Sequence, residues 1–214
     1  MNYNESMKKI LVLLTLLSLV GCKTKEKTIT EIYPEIINEC VIKEKDKEDI
    51  EAMLKNGTGV VFLSWSECPW CHSYINLVNE SARLNELEVM YYDIYDDRDK
   101  NTDFYKFITS YIEDYVDEYA YETNGELKKA YDSNGKARVY VPMVIYVSKG
   151  EIIGLDYQGS MEEDFDSNQE SFWKENNRKD ILISKLEEWS KQVSDIKKQI
   201  DGQGCDEACE IEEK

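Results

Sequence analysis

Gly59-Val60-Val61-Phe62-Leu63-Ser64-Trp65-Ser66-Glu67-Cys68-Pro69-Trp70-Cys71 is the stretch on which the fold turns. Its first seven residues are apolar and rich in β-branched side chains, the composition of a central strand buried on both faces. Ser66 to Pro69 breaks that run. Beyond it the apolar residues fall at Cys71, Ile75, Val78 and Ala82, with Tyr74 and Leu77 beside them. That is helical spacing, and it predicts a helix from Trp70 to about Leu84. Leu87 to Ile94 (LEVMYYDI) reads as a second strand. Strand, helix and strand in this order form a βαβ unit, which implies parallel strands and a right-handed crossover.

Cys68 and Cys71 therefore bracket the point where a buried strand ends and a helix begins. The free N–H groups and the dipole of a helix N-terminus favour an anion, which lowers a thiol's pKa and makes it a nucleophile near neutral pH. Cys68 is expected to be the exposed thiol of the pair. Cys71, inside the first turn, is close enough to resolve a mixed disulfide. Pro69 suits an early helix position, where its missing N–H costs nothing. Two other readings compete. A zinc site needs two further ligands of similar spacing, and beyond this pair the chain offers one histidine, His72, with Cys40, Cys205 and Cys209. A purely structural disulfide is awkward with two intervening residues at a helix start. The redox reading takes most of the weight.

Working outward, Cys40 to Glu44 looks like a short strand. Asp46 is a candidate N-cap for a helix through Ile50, Met53 and Leu54 that stops at Asn56-Gly57. Residues 102–121 repeat with a 3.6-residue period: Phe104, Phe107, Ile108, Tyr111, Ile112, Tyr115, Val116 and Tyr119. This stripe is a helix burying an aromatic face, or one wall of a substrate groove above the dithiol. A second short helix is expected at Glu126–Tyr131, between the turn signals Asn124-Gly125 and Asn134-Gly135. Val139 to Val147, a turn at Ser148-Lys149-Gly150, and Glu151 to Tyr157 make an antiparallel hairpin. Residues 158–176 read as a loop. Leu182, Leu186, Trp189, Val193, Ile196 and Ile200 mark one face of a last helix, and 201–214 is an acidic tail holding Cys205 and Cys209.

With these elements placed, the chain resembles the thioredoxin-like superfamily. The βαβ unit with Cys68-Pro69-Trp70-Cys71 at its strand–helix junction is similar to the first half of that fold. Val141-Pro142 and the hairpin that follows, through Gly159, are similar to the second. The resemblance implies an α/β sandwich, a mixed sheet with helices on both faces and a helical insertion at about 95–138. It also implies that Pro142 is cis and faces the dithiol, with the Val141 backbone able to pair a substrate chain beside Cys68. The activity it implies is thiol–disulfide exchange: Cys68 forms a mixed disulfide with a partner protein and Cys71 resolves it. No cofactor or metal is expected. Two departures stand out. Phe62 occupies the place where many thioredoxins carry a buried acid, and Glu67 replaces the tryptophan that usually precedes the first cysteine. The Glu67 charge is expected to oppose a Cys68 thiolate. Trp70 beside Pro69 is closer to glutaredoxins and to periplasmic oxidants than to reducing thioredoxins. The long insertion is similar to accessory thioredoxin-like proteins of Gram-positive secretion systems. His72, one turn past Cys68, is placed either to stabilise the thiolate as a cation or to sit in solvent.

The first residues set the expected compartment. Lys8 and Lys9 precede an apolar run of 11 residues, Ile10 to Val20. That is short of the ~20 residues a membrane span needs and fits a signal-peptide core. The run ends in Leu19-Val20-Gly21-Cys22, which resembles the lipobox of bacterial lipoproteins. Residues 1–21 are thus expected to be a signal peptide, Cys22 the lipidated residue, 22–38 a tether and 39–200 the domain. Translation from Met1 or from Met7 stays open. An exported, lipid-anchored chain works where disulfides persist. With 44 acidic and 26 basic residues, net −18, it repels phosphate backbones, so nucleic-acid binding is disfavoured. The expected partners are exported or cell-surface proteins bearing thiols or disulfides, the membrane through Cys22, and a membrane redox protein. A different class of function also fits: a non-catalytic adaptor that uses the same body to hold a secretion or membrane partner. Cys205 and Cys209 are spaced to bridge if the tail is helical. The direction of electron flow does not follow from these residues.

Overall fold

The computed structural model describes residues 27–123, 126–157, 169–174 and 177–209. In chain order the elements are α1 (Ile29–Ile32), β1 (Ile42–Glu44), α2 (Lys47–Asn56), β2 (Gly59–Ser64), α3 (Pro69–Leu84), β3 (Val89–Asp93), α4 (Tyr95–Lys100), α5 (Asp103–Ile112), β4 (Tyr121–Thr123), β5 (Glu126–Lys128), β6 (Met143–Ser148), β7 (Glu151–Asp156), α6 (Gln169–Lys174) and α7 (Arg178–Cys209). The expected Cys22 anchor and the signal segment 1–21 lie outside the described residues. No helix among those residues is long and apolar enough to cross a membrane.

β2 is buried along its whole length, as a strand covered on both faces must be. It lies at the centre of a five-stranded mixed sheet of order β1-β3-β2-β6-β7. β1, β3 and β2 run parallel, while β6 and β7 are antiparallel. The alternation of side chains along a strand divides the core in two. Phe62 stacks on Tyr74 of α3, and Tyr146 meets Trp189 of α7, so α3 and α7 cover one face. Val61, Leu63 and Ile145 point the other way and are equally buried, with α2 packed across β2, β3, β6 and β7.

Local chemistry explains most boundaries. Asp46 Oδ1 accepts the Asp49 N–H at 2.9 Å and starts α2. Lys149 and Gly150, both at positive φ, form the two-residue loop between β6 and β7. Gly150 is needed there twice over: its N–H donates to Gly57 O at 2.9 Å, and a Cβ would collide with the Lys55 carbonyl.

Several expectations are corrected. Glu126–Tyr131 is not a helix: Glu126–Lys128 pairs antiparallel with Tyr121–Thr123. Asn124-Gly125, read as a helix boundary, is also the residue pair that two-residue hairpins favour. The insertion is therefore helical only in part. The periodic stretch splits as well, α5 ending at Ile112 and giving way to turns, although Val116 is still buried. The second hairpin's first strand begins at Met143, not Val139. Within 158–176, residues 169–174 form α6, which buries Phe172 and Trp173. The end of the supposed tether joins the core: Tyr33 is fully buried and Ile36 nearly so. Burial of Ile36 alone contributes about 1.5–3 kcal/mol, enough to hold this segment against the domain. The last helix holds its backbone through Cys209, and its apolar face is buried at Leu182, Leu186 and Val193 but leaves Ile200 exposed.

Candidate active site

The helix start is built from the cysteine itself. Cys68 is the N-cap of α3, with extended backbone, and its Sγ accepts the Cys71 N–H at 3.2 Å. A sulfur here stands where a Ser or Asp oxygen commonly caps a helix, so a thiolate is held by donors that need an acceptor. Pro69 opens the helix and gives up no hydrogen bond. The Val141–Pro142 peptide bond is cis. The Val141 carbonyl oxygen lies 4.0 Å from Cys68 Sγ, so the loop ahead of β6 faces the dithiol.

Cys68 was expected to be exposed, and it is not. It keeps 3% of its surface and Cys71 none. The loop carrying Val141 and Pro142 folds over the sulfur, a covering set by residues distant in the chain. Both thiols are free, and their environments push them apart. The hydrogen bond from the Cys71 thiol holds Cys68 below its ordinary pKa. Burial opposes this, while the Cys71 and Trp70 N–H groups and the charge of His72 add to it. Burial pushes Cys71 well above its ordinary value, reinforced by its hydrogen bond to Cys68 and by the Cys68 charge. The arrangement has one thiol ready to ionise beside one kept protonated.

A buried hydroxyl cluster backs Cys71. Ser64, at the end of β2, lowers the Cys71 pKa through its hydroxyl, against the larger effect of burial. Ser64 Oγ lies 2.8 Å from the Tyr33 hydroxyl, which is 3.3 Å from that of Tyr91 and donates to Trp65 O at 3.0 Å. Burial pushes both tyrosines far above their ordinary range, so they stay neutral. Phe62 lines the core next to Tyr74.

The residues around the pair fall into distinct roles. Trp70 packs edge-on against Phe172 of α6, with ring centroids 4.9 Å apart. His72 is not a loose solvent group: Nδ1 lies 3.0 Å from both Glu35 oxygens, Nε2 lies 2.9 Å from Ser66 O, and the ring packs on Tyr33 at 4.8 Å, tilted by 53°. Glu67 is exposed and lines a small cleft with Trp65, Ser66, Asp93, Tyr95 and Asp96, where water screens its charge from the sulfur. Among the described residues no group of three or more His, Cys, Asp or Glu side chains converges on a metal position. Cys40 is half-buried, its Sγ 3.6 Å from Ile42 O. The side chains of Cys205 and Cys209 lie outside what the structure describes.

No family model, curated protein or solved structure matches this chain.

Sequence reasoning missed Tyr33, Ser64, Tyr91 and Glu35. For Tyr33 a signal exists: Ile29, Ile32, Tyr33 and Ile36 follow helical spacing inside the stretch read as a tether. For Ser64 the signal is a hydroxyl ending an otherwise apolar strand four residues before the first cysteine.

Proposed function

We propose that the chain is a thioredoxin-like thiol–disulfide oxidoreductase, acting outside the cytoplasm from a lipid anchor on Cys22. The observation that carries this reading is the split between the two thiols. Cys68 caps α3 with its thiolate favoured, and Cys71 stays protonated 3.2 Å away through its N–H. The Val141 backbone and Pro142 supply the surface against which a substrate chain lies.

The chemistry balances with no external cofactor. The Cys68 thiolate attacks one sulfur of a substrate disulfide, forming a Cys68–substrate disulfide and releasing the other substrate sulfur as a thiolate that takes up a proton. Cys71 then loses its proton and attacks the Cys68 sulfur. The Cys68–Cys71 disulfide forms, the second substrate thiolate leaves, and two electrons have passed to the substrate. Run backwards, the same steps oxidise a substrate dithiol. Stabilising the Cys68 thiolate stabilises the reduced form, which makes the pair more oxidising than an unperturbed dithiol.

The near-complete burial of Cys68 favours a second reading, a non-catalytic adaptor on the same scaffold. One experiment separates the two. A Cys71→Ser variant of the full chain is expected to accumulate mixed disulfides through Cys68 with exported proteins, and the wild-type pair to exchange with glutathione. A pair that does neither is an adaptor's relic.

A further inference from the structure

Acidic residues outnumber basic ones by 44 to 26 over the whole chain, yet one cleft reverses that balance, with four cations against three anions in its lining. This cleft, about 1020 Å³, lies between α4, α5 and residues 132–138. Arg98, Lys106, Lys136 and Arg138 line it against Asp99, Glu113 and Asp132. Two of these charges are already engaged: Lys106 pairs with Asp103 at 2.9 Å, and Asp132 accepts the N–H groups of Asn134 and Lys136.

Arg98 and Arg138 are different. Among the described residues neither forms an ion pair. Each is held by an aromatic ring instead. The Arg98 guanidinium lies 4.3 Å from the Trp65 ring, and that of Arg138 lies 5.1 Å from Tyr140. Both rings lie close to the dithiol in the chain or through its neighbours: Trp65 precedes Ser66-Glu67-Cys68, and Tyr140 precedes Val141, whose carbonyl faces Cys68 Sγ at 4.0 Å. Tyr105 lines the same cleft, its hydroxyl accepting the Val139 N–H at 3.4 Å. Burial and then the Arg138 charge both push Arg98 below its ordinary pKa. Both arginines line one cleft without an ion-pair partner of their own, although Asp99, Glu113 and Asp132 share that lining, and a ligand carboxylate between them supplies the missing partner. A guanidinium's planar fork matches a carboxylate in two parallel hydrogen bonds.

We propose that the Arg98–Arg138 pair is a carboxylate-binding subsite that selects substrate polypeptides carrying Asp or Glu beside the cysteine that Cys68 engages. The proposal rests on the oxidoreductase reading for the word substrate, while the subsite itself rests on the cleft. It assigns the insertion a purpose: α4 and the strand-like segment ahead of Pro142 carry the two arginines to the mouth of the substrate groove.

Two measurements on the full chain test it. The first uses a Cys68→Ser/Cys71→Ser variant and labelled peptides bearing Glu or Gln around a serine, compared by fluorescence polarisation. The Glu peptide is expected to bind about tenfold more tightly, the preference to shrink with added salt, to vanish in Arg138→Gln and to return in part in Arg138→Lys. Equal binding of the two peptides, or a preference untouched by Arg138→Gln in a variant whose melting curve shows it folded, overturns the proposal. The second follows disulfide exchange of the wild type with cystine-linked versions of the same peptides. Exchange with both at equal rates overturns the selectivity. Exchange with neither, alongside arginine-dependent binding of the Glu peptide, overturns the redox reading and leaves the carboxylate subsite in place.

Discussion

The Tyr33 hydroxyl lies 2.8 Å from Ser64 Oγ, and the Ser64 hydroxyl favours the Cys71 thiolate against the larger effect of burial. A residue upstream of the first strand thus reaches the back of the dithiol. Phe62, two residues before Ser64 on β2, is apolar, and neutral hydroxyls lie on the Cys71 side of the strand. A hydroxyl cannot accept the Cys71 proton as a base, but it can donate to the thiolate that forms as the proton leaves.

Ser64→Ala removes that donor and leaves the Cys71 thiolate less favoured. The resolving step is expected to slow by about 3- to 10-fold, the effect of one lost hydrogen bond of about 1 kcal/mol. Tyr33→Phe should slow it less, since it acts one hydroxyl further back. Stopped-flow measurement of mixed-disulfide decay checks both, with the first attack by Cys68 as the control. Decay rates equal to the wild type's would remove the cluster from the mechanism.

The two thiols also set a pH signature. Alkylation of Cys68 in the reduced protein should titrate below the ~8.5 of free cysteine, and the midpoint should rise in Cys71→Ala, because the Cys71 thiol is the largest stabilising partner. The sign carries over to stability. Between the depressed Cys68 pKa and about 8.5 the unfolded chain binds more protons than the folded one, so the reduced form gains on the oxidised form as pH rises. Above that the raised Cys71 reverses the trend. Denaturant titrations of both redox forms across pH give the difference, and a difference that falls through the lower window would contradict the assignment.

Gly154 on β7 faces the Trp189 indole so closely that a Cβ would fall inside the ring. Trp189 in turn packs on Tyr146 and Tyr119, which oppose its displacement. Gly154→Ala is expected to cost about 1–3 kcal/mol by overpacking, seen as a lower denaturation midpoint with an unchanged slope.

Asp97 in α4 is nearly fully buried and accepts from Lys47 Nζ, Tyr92 Oη and Thr102 Oγ1, each at 2.6 Å. Burial works against its ionisation, but these three donors outweigh it and hold the carboxyl below its ordinary pKa. A depressed folded pKa contributes stability present above the unfolded value of about 3.9 and lost as pH falls through the folded one. Asp97→Asn is expected to cost on the order of 2 kcal/mol and to flatten acid unfolding in this range. Since Arg98 is its neighbour, the same variant should also weaken any carboxylate preference of the cleft.

What the sequence determined by itself was local. The β-branched run of β2, the helical spacing of α3, the Asp46 cap and the Lys149-Gly150 loop depend on neighbours in the chain, and so does the placement of Cys68 and Cys71 at a strand–helix junction. Local signals fail where two structures share one signal, as at Asn124-Gly125, or where a segment's periodicity is too brief to outweigh its polar flank, as at Tyr33. The tertiary structure decided the rest, because desolvation and charge pairing depend on what folds over a group. Val141 covers the thiol that was expected to be exposed, Tyr33 and Ser64 meet behind Cys71, and Arg98 and Arg138 come to line one cleft from stretches far apart in the chain.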